Sequence, residues 1–122
     1  LAEIIVLDQF ARNVFRDSSH AFEHDPLALT LAEEAVRVGA DKKLPRKMRH
    51  FLYMPYMHSE SREAHKKAVW LFLSLWNWGT FWYELKHKRI IDRFGRYPHR
   101  NAVLGRESTE EEKKFIATHK GF

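Results

Sequence analysis

DPLALTLAEEAVRVG, residues Asp25 to Gly39, carries the signals for both ends of a helix. Asp25 is a capping residue type, and Pro26 follows at the first helical position, where a missing amide costs nothing. Leu27, Leu31 and Ala35 share a face, Leu29 and Ala32 flank it, and Gly39 supplies the stop. This is a helix with one buried side, and the rest of the chain repeats the pattern.

Upstream, LAEIIVLDQF (residues 1–10) puts Leu1, Ile4, Ile5 and Phe10 at helical spacings, with Val6 and Leu7 broadening the apolar face. A loop is expected over residues 12–25. Downstream, Pro45 opens a helix over PRKMRHFLYM, and Pro55 is expected to end or kink it. Ser59 reads as the N-cap of a helix over residues 60–76, with Glu60 in its first turn. Gly79 and Thr80 mark the start of FWYELKHKRIIDRF, which stops at Gly95. Ser108 with Glu111 reads as the capping box of a short last helix ending near Ala117. No period-2 alternation stands out, so no strand is assigned. The expectation is one all-α domain over residues 1–122, an antiparallel array of about six helices. Helix pairs of this length resemble a degenerate helical repeat.

The composition, 44% hydrophobic and 30% charged over 122 residues, is that of a globular protein. With no cysteine, a disulfide framework and a thiolate zinc site are both excluded. The longest apolar stretch, residues 68–83, is broken by Asn77 and Gly79 and falls short of the roughly 20 residues of a membrane span. A cytoplasmic protein without a membrane partner is expected. The net charge of +5 is unevenly placed: between Lys86 and Arg106 seven Lys and Arg face only Asp92, a local +6. Such a patch favours anionic partners. The modest total charge, with no nucleic-acid-binding signature, argues against nucleic acid.

Four constellations could carry chemistry. RFGRYPHRN (residues 93–101) gathers Arg93, Arg96, His99, Arg100 and Asn101 around a Gly and a Pro. Arg96 and Arg100 could satisfy helix-end carbonyls and pair with Asp8 or Glu60. Alternatively they could grip a phosphate or carboxylate bidentately, with His99 as a possible acid or base. In LDQFARN, Asp8 with Arg12 and Gln9 with Asn13 are four apart, so each pair shares a helix face. That face could form a plain intrahelical bridge or close a pocket against the PHRN loop. In MHSE, His58 could be structural, or a general base oriented by Glu60. No spacing motif supports a metal at His58, His87, His99 and Glu60, and no cofactor motif is present. Finally, Trp70, Phe72, Trp76, Trp78, Phe81, Trp82 and Tyr83 crowd one stretch, as core packing or as an interface.

LDQFARN, DPLALTLAEEAV, FLYMPYMHSE (residues 51–60) and HKRIIDRFGRYPHRNAVLGRESTEEE (residues 87–112), in this order, resemble the bacterial domain-of-unknown-function family 924. The resemblance covers nearly the whole chain. It implies an all-helical, tetratricopeptide-like fold and leaves the activity open. The chain departs from the family in three ways. Ala11 stands where the family commonly has Pro, the stretch around Trp76 is unusually aromatic, and two or so helices that usually precede LDQF are lacking. The opening of the chain on Leu1, inside an apolar run without a cap, also suggests that something before it is missing, processed or replaced by another chain. An apolar face left bare in this way, at about 150–250 Å² per Trp or Phe, is large for a monomer. Self-association is therefore expected, most simply a dimer, through Trp70, Trp76, Trp78, Trp82 and the N-terminal apolar helix.

Two functions remain open. One is a binding module for a small anionic ligand or an acidic partner at the Arg93–Asn101 loop, using Asp8, Gln9, Arg12, Asn13, Arg93, Arg96, His99, Arg100 and Asn101. The other is an enzyme acting on an anionic metabolite, with candidates His58, Glu60 and His99. No metal or cofactor is expected for either.

Overall fold

The computed structural model describes residues 1–119; the expected domain limit at residue 122 lies outside the described residues. Every regular element among them is helical. Helix α1 covers residues 2–14 and widens into a π-helical stretch at Val6–Phe10. It continues past the expected end at Phe10 because residues 11–14 contain no helix breaker. A 3-10 turn at Ser19–Phe22 leads to α2, Asp25–Arg37, and a second one at Ala40–Lys43 leads to α3, Arg46–His58. Helices α4, Arg62–Leu73, and α5, Trp78–Phe94, follow. The 3-10 turn Pro98–Arg100 runs into the single-turn α6, Asn101–Leu104, and α7, Glu110–Thr118, comes last.

The core lies on both sides of α3. Leu52, Tyr53, Tyr56 and Met57 project from it, each buried. Small faces receive them: Ala32 on α2, and Ala64 and Ala68 on α4, all at most 3% exposed. Alanines let helix axes approach while the large side chains of α3 fill the gap, the close packing that interiors require. Phe72, Leu75 and Ile4 complete the cluster. The buried face of α2 is therefore centred on Ala28 and Ala32, and Leu27, expected inside, is exposed.

Other helix ends differ from expectation as well. Pro55 does not stop α3: Tyr56 and Met57 after it are core residues, and burying them outweighs the amide lost at Pro55. The cap of α4 is Ser61, whose hydroxyl accepts from the Ala64 amide, not Ser59, and Glu60 is drawn away to other partners. Asn77, accepting from the Thr80 amide, starts α5, so Gly79 lies inside the helix. The last capping box is Thr109 with Glu112, one residue beyond Ser108 with Glu111. Both pairs fit the pattern, but only Glu112 also meets Arg96 and Asn101.

Candidate functional site

Helix α5 ends at Gly95, whose φ of 74° favours glycine. The chain then enters the PHRN turn under tight control. The buried Tyr97 gives its hydroxyl to the Met57 carbonyl and its amide to Glu60 Oε2 at 2.6 Å. Glu60 also receives both arms of Arg106, at 2.9 and 3.0 Å. Arg106 in turn reaches Asn101 Oδ1 at 3.0 Å. Arg96 lies bidentate on Glu112, at 2.9 and 2.8 Å, with Asn101 Nδ2 on the same carboxylate at 3.2 Å. These bonds fix the turn to the end of α3 and to α7. Beneath the turn, His65 bonds the buried Glu84 at 2.6 Å and the Ser59 carbonyl at 2.7 Å. Burial pushes the Glu84 carboxyl up, and the His65 hydrogen bond offsets this only in part.

The basic side chains of RFGRYPHRN diverge. Arg93 lies over the Phe94 ring, and Arg96 is committed to Glu112. His99 packs on Phe115 and bonds the His119 carbonyl. Arg100 alone turns inward. It gives one N–H to the His58 carbonyl at 2.8 Å, stacks over Phe22 at 4.4 Å and Tyr97 at 4.7 Å, and stands 3.6 Å from Asp25 Oδ2. A cavity of about 350 Å³ opens there, bounded by Phe22, Asp25, His58, Glu60 and Arg100. The partners anticipated for Arg96 and Arg100, Asp8 or Glu60, are replaced by Glu112 and Asp25, while Glu60 is occupied by Arg106.

Helix α1 stands behind this cavity and reaches two of its lining residues, His58 and Asp25. Asp8, at 1% exposure, and Arg12 both turn toward the end of α3 from in and just beyond the π-helical stretch, a distortion often found at functional sites. Arg12 gives an N–H to Asp25 Oδ2 at 2.7 Å. His58 Nδ1 stands 2.7 Å from Asp8 Oδ1 and 3.1 Å from Arg12 Nε. One ring nitrogen cannot serve both. The shorter contact and the carboxylate charge favour Nδ1–H donated to Asp8, with Arg12 Nε–H drawn to the same oxygen at 3.5 Å. That tautomer leaves the His58 Nε2 lone pair as the basic atom. Gln9 holds the second Asp8 oxygen at 2.6 Å.

Burial alone would push the Asp8 carboxyl up, but the His58 hydrogen bond and the charges of His58 and Arg12 hold it below the usual value. Burial drives His58 down, with Asp8 offsetting only part of the effect. Asp25 goes up: burial outweighs the pull of Arg12 and Arg100. Its Oδ1 is buried without a hydrogen-bond partner in the structure. The site therefore holds two guanidinium groups, one carboxyl held low, one pushed up by burial, and an imidazole oriented by Asp8 and pushed down by burial.

Of the residues singled out from sequence, His58, Glu60 and Arg100 line this cavity, and Asp8, Gln9 and Arg12 stand behind it, joined to it through His58 and Asp25. Arg93, Arg96, His99 and Asn101 lie elsewhere, and Asn13 is exposed. The sequence assigns Asp25 only a capping role; its side chain caps nothing and faces Arg12 instead. Phe22 carried no signal. Arg106 and Glu112 belong to charge pairs 46 and 16 residues apart, which no local spacing reveals. Among the described residues no group of three or more His, Asp or Glu side chains is placed to hold a metal ion.

Comparison with known proteins adds a family and a structure. The family model described as bacterial protein of unknown function (DUF924) matches residues 1–120. The solved structure of a protein of unknown function from Agrobacterium tumefaciens is similar at a TM-score of 0.91 and 39% identity, over 97% of this chain. The chain spans 66% of that protein, just under two thirds. No curated protein matches.

Proposed function

The chain belongs to the bacterial family of unknown function DUF924, and from that premise we propose that it is a binding module whose ligand is a small anion, or the carboxylate of an acidic partner, held between Arg12 and Arg100. The observation that carries this reading is the convergence of both guanidinium groups on Asp25 beside a cavity. Asp25 is a weakened internal counter-ion, since burial pushes its carboxyl up. An entering anion competes with it for the two arginines, and Asp25 takes up a proton. The site then stays near neutrality with either occupant.

A second reading rests on the Asp8–His58 pair. A buried carboxylate that fixes the imidazole tautomer leaves Nε2 able to move a proton on a bound anionic metabolite. Asp8, rather than the Glu60 expected from sequence, is the orienting partner. The binding reading needs Arg100 and tolerates loss of His58; the enzymatic reading needs both.

Self-association through the apolar surface is also proposed. Trp70, Trp76, Trp78 and Trp82 are 57–72% exposed, and Val6, Phe10 and Val14 form a second exposed stripe along α1. Interfaces are rich in such residues.

The test is a thermal-shift series with sulfate, phosphate, succinate and an acidic peptide. At 100 times its dissociation constant a ligand adds about 2.7 kcal/mol of stability. One of these anions is expected to raise the melting temperature of the wild type and not that of Arg100→Ala. A panel without effect, or equal shifts in both proteins, would remove the reading.

A further inference from the structure

The outer face of α5 carries a groove that shares no lining residue with the cavity at Arg100. It encloses about 440 Å³ between α5 and α7, a size in the range of small-molecule sites. Its floor is apolar, made by Ile90, Phe94 and Phe115. Its rim is cationic. Lys86, Arg89 and Arg93 stand at i, i+3 and i+7 on one helix face and cover about 10 Å of axis.

None of these three cations is in an ion pair among the described residues. The exposed acid of α5, Asp92, is taken by Lys88 at 2.6 Å. The Lys86 ammonium lies 5.5 Å from the Tyr83 ring centre. The Arg93 guanidinium lies 4.6 Å from Phe94 and 6.0 Å from Phe115. Lys86 and Arg93 thus lean over aromatic surface, where a flat ring entering the groove would meet apolar side chains and cations together.

The floor and the rim make different demands. An inorganic anion would satisfy the rim and leave the apolar floor unfilled. A neutral ring would fill the floor and leave three cations without counter-charge. The geometry points to a ligand site for a planar aromatic ring bearing a phosphate or carboxylate, the ring on Ile90, Phe94 and Phe115 and the anion on Arg89 and Arg93. A mononucleotide and an aromatic carboxylic acid share that chemistry.

Isothermal titration of the whole chain with adenosine monophosphate, adenosine, inorganic phosphate, indole-3-acetate and indole separates the cases. One ring anion is expected to bind at least tenfold more tightly than its neutral ring and than phosphate alone. Which of the two does so identifies the source. Arg89→Glu and Arg93→Glu should each weaken it at least tenfold, and Lys67→Glu, an equal charge change outside the groove, should leave it unchanged. Arg89 is exposed and, among the described residues, bonds no other side chain, so Arg89→Glu carries the test even if Arg93→Glu unfolds. The assignment is overturned if neither ring anion exceeds its neutral ring, if Arg89→Glu binds as the wild type does, or if Lys67→Glu loses as much.

Discussion

At Asp25 two demands meet. The residue stands at the start of α2, where a carboxylate suits the helix dipole, yet its side chain turns to Arg12 and leaves one oxygen buried without a partner. An acid held this way should report on anion binding. Sulfate stays ionised throughout the working range, so any pH dependence of its binding comes from the protein. Because burial raises the Asp25 carboxyl above its ordinary value and binding takes up the proton that Asp25 accepts, sulfate affinity is expected to fall as pH rises. Asp25→Asn should flatten that dependence, which titration at four pH values would check. Sequence inspection gave Asp25 a capping role because capping is the commonest use of Asp at that position. Its real partner is thirteen residues away, and only the fold brings the two together. Asp8 and Arg12 were legible because both lie on one helix.

Two other residues fix the acid response. The Glu112 carboxyl is pulled down from 4.5 to about 2, first by the Arg96 hydrogen bond. Its stabilisation is therefore complete above pH 4.5 and lost as pH falls toward 2. The advantage of wild type over Glu112→Gln in urea denaturation should shrink across that window. His87 is held down, from 6.5 to about 4, by burial. Its neutral form is the folded one, so the wild type should lose ground to His87→Asn as pH falls from 6.5 toward 4.

At the scale of elements, the clasp between the PHRN turn and α7 is the most consequential device. Thr109→Ala removes one cap bond and should cost about 1 kcal/mol. Arg96→Ala removes both arms of the ion pair and leaves the Glu112 carboxylate only Asn101 and the Thr109 amide, so a larger loss than at Thr109 is expected. Circular dichroism melts of both variants check the order. The α4–α5 corner poses the opposite case. Trp76 has φ of 54°, a conformation that disfavours a bulky side chain, and its indole is 70% exposed. Trp76→Gly is expected to stabilise the protomer by about 1 kcal/mol. Helix number and order were readable because Pro, Gly and Ser, Thr or Asn punctuate the chain at nearly every junction. Exact ends were not, since Ser59 and Ser61 compete as caps, as do Ser108 and Thr109, and tertiary partners choose between them.

For the whole molecule, the all-α class followed from the helical periodicity alone, and the family match and the Agrobacterium structure agree with it. No helix among the described residues is long and apolar enough to cross a membrane. The exposed tryptophans and the α1 stripe predict self-association. Sedimentation velocity at micromolar concentration should show a species heavier than the protomer. Trp76→Gly and Trp82→Glu should shift it toward the protomer, so Trp76→Gly gains fold stability and loses association. What sequence could not supply was the division of RFGRYPHRN among separate places, because one short turn sends successive side chains in different directions. Only Arg100 reaches the cavity, and the central claim rests on it.

The most direct measurement is calorimetric titration of sulfate at pH 6 into wild type and Arg100→Ala, with folding of the variant verified by circular dichroism. A charge-assisted bond is worth about 1.5–3 kcal/mol, so the account predicts saturable binding to the wild type and at least a tenfold loss in the variant. Saturable binding of equal affinity in both proteins, or none in either, would contradict it.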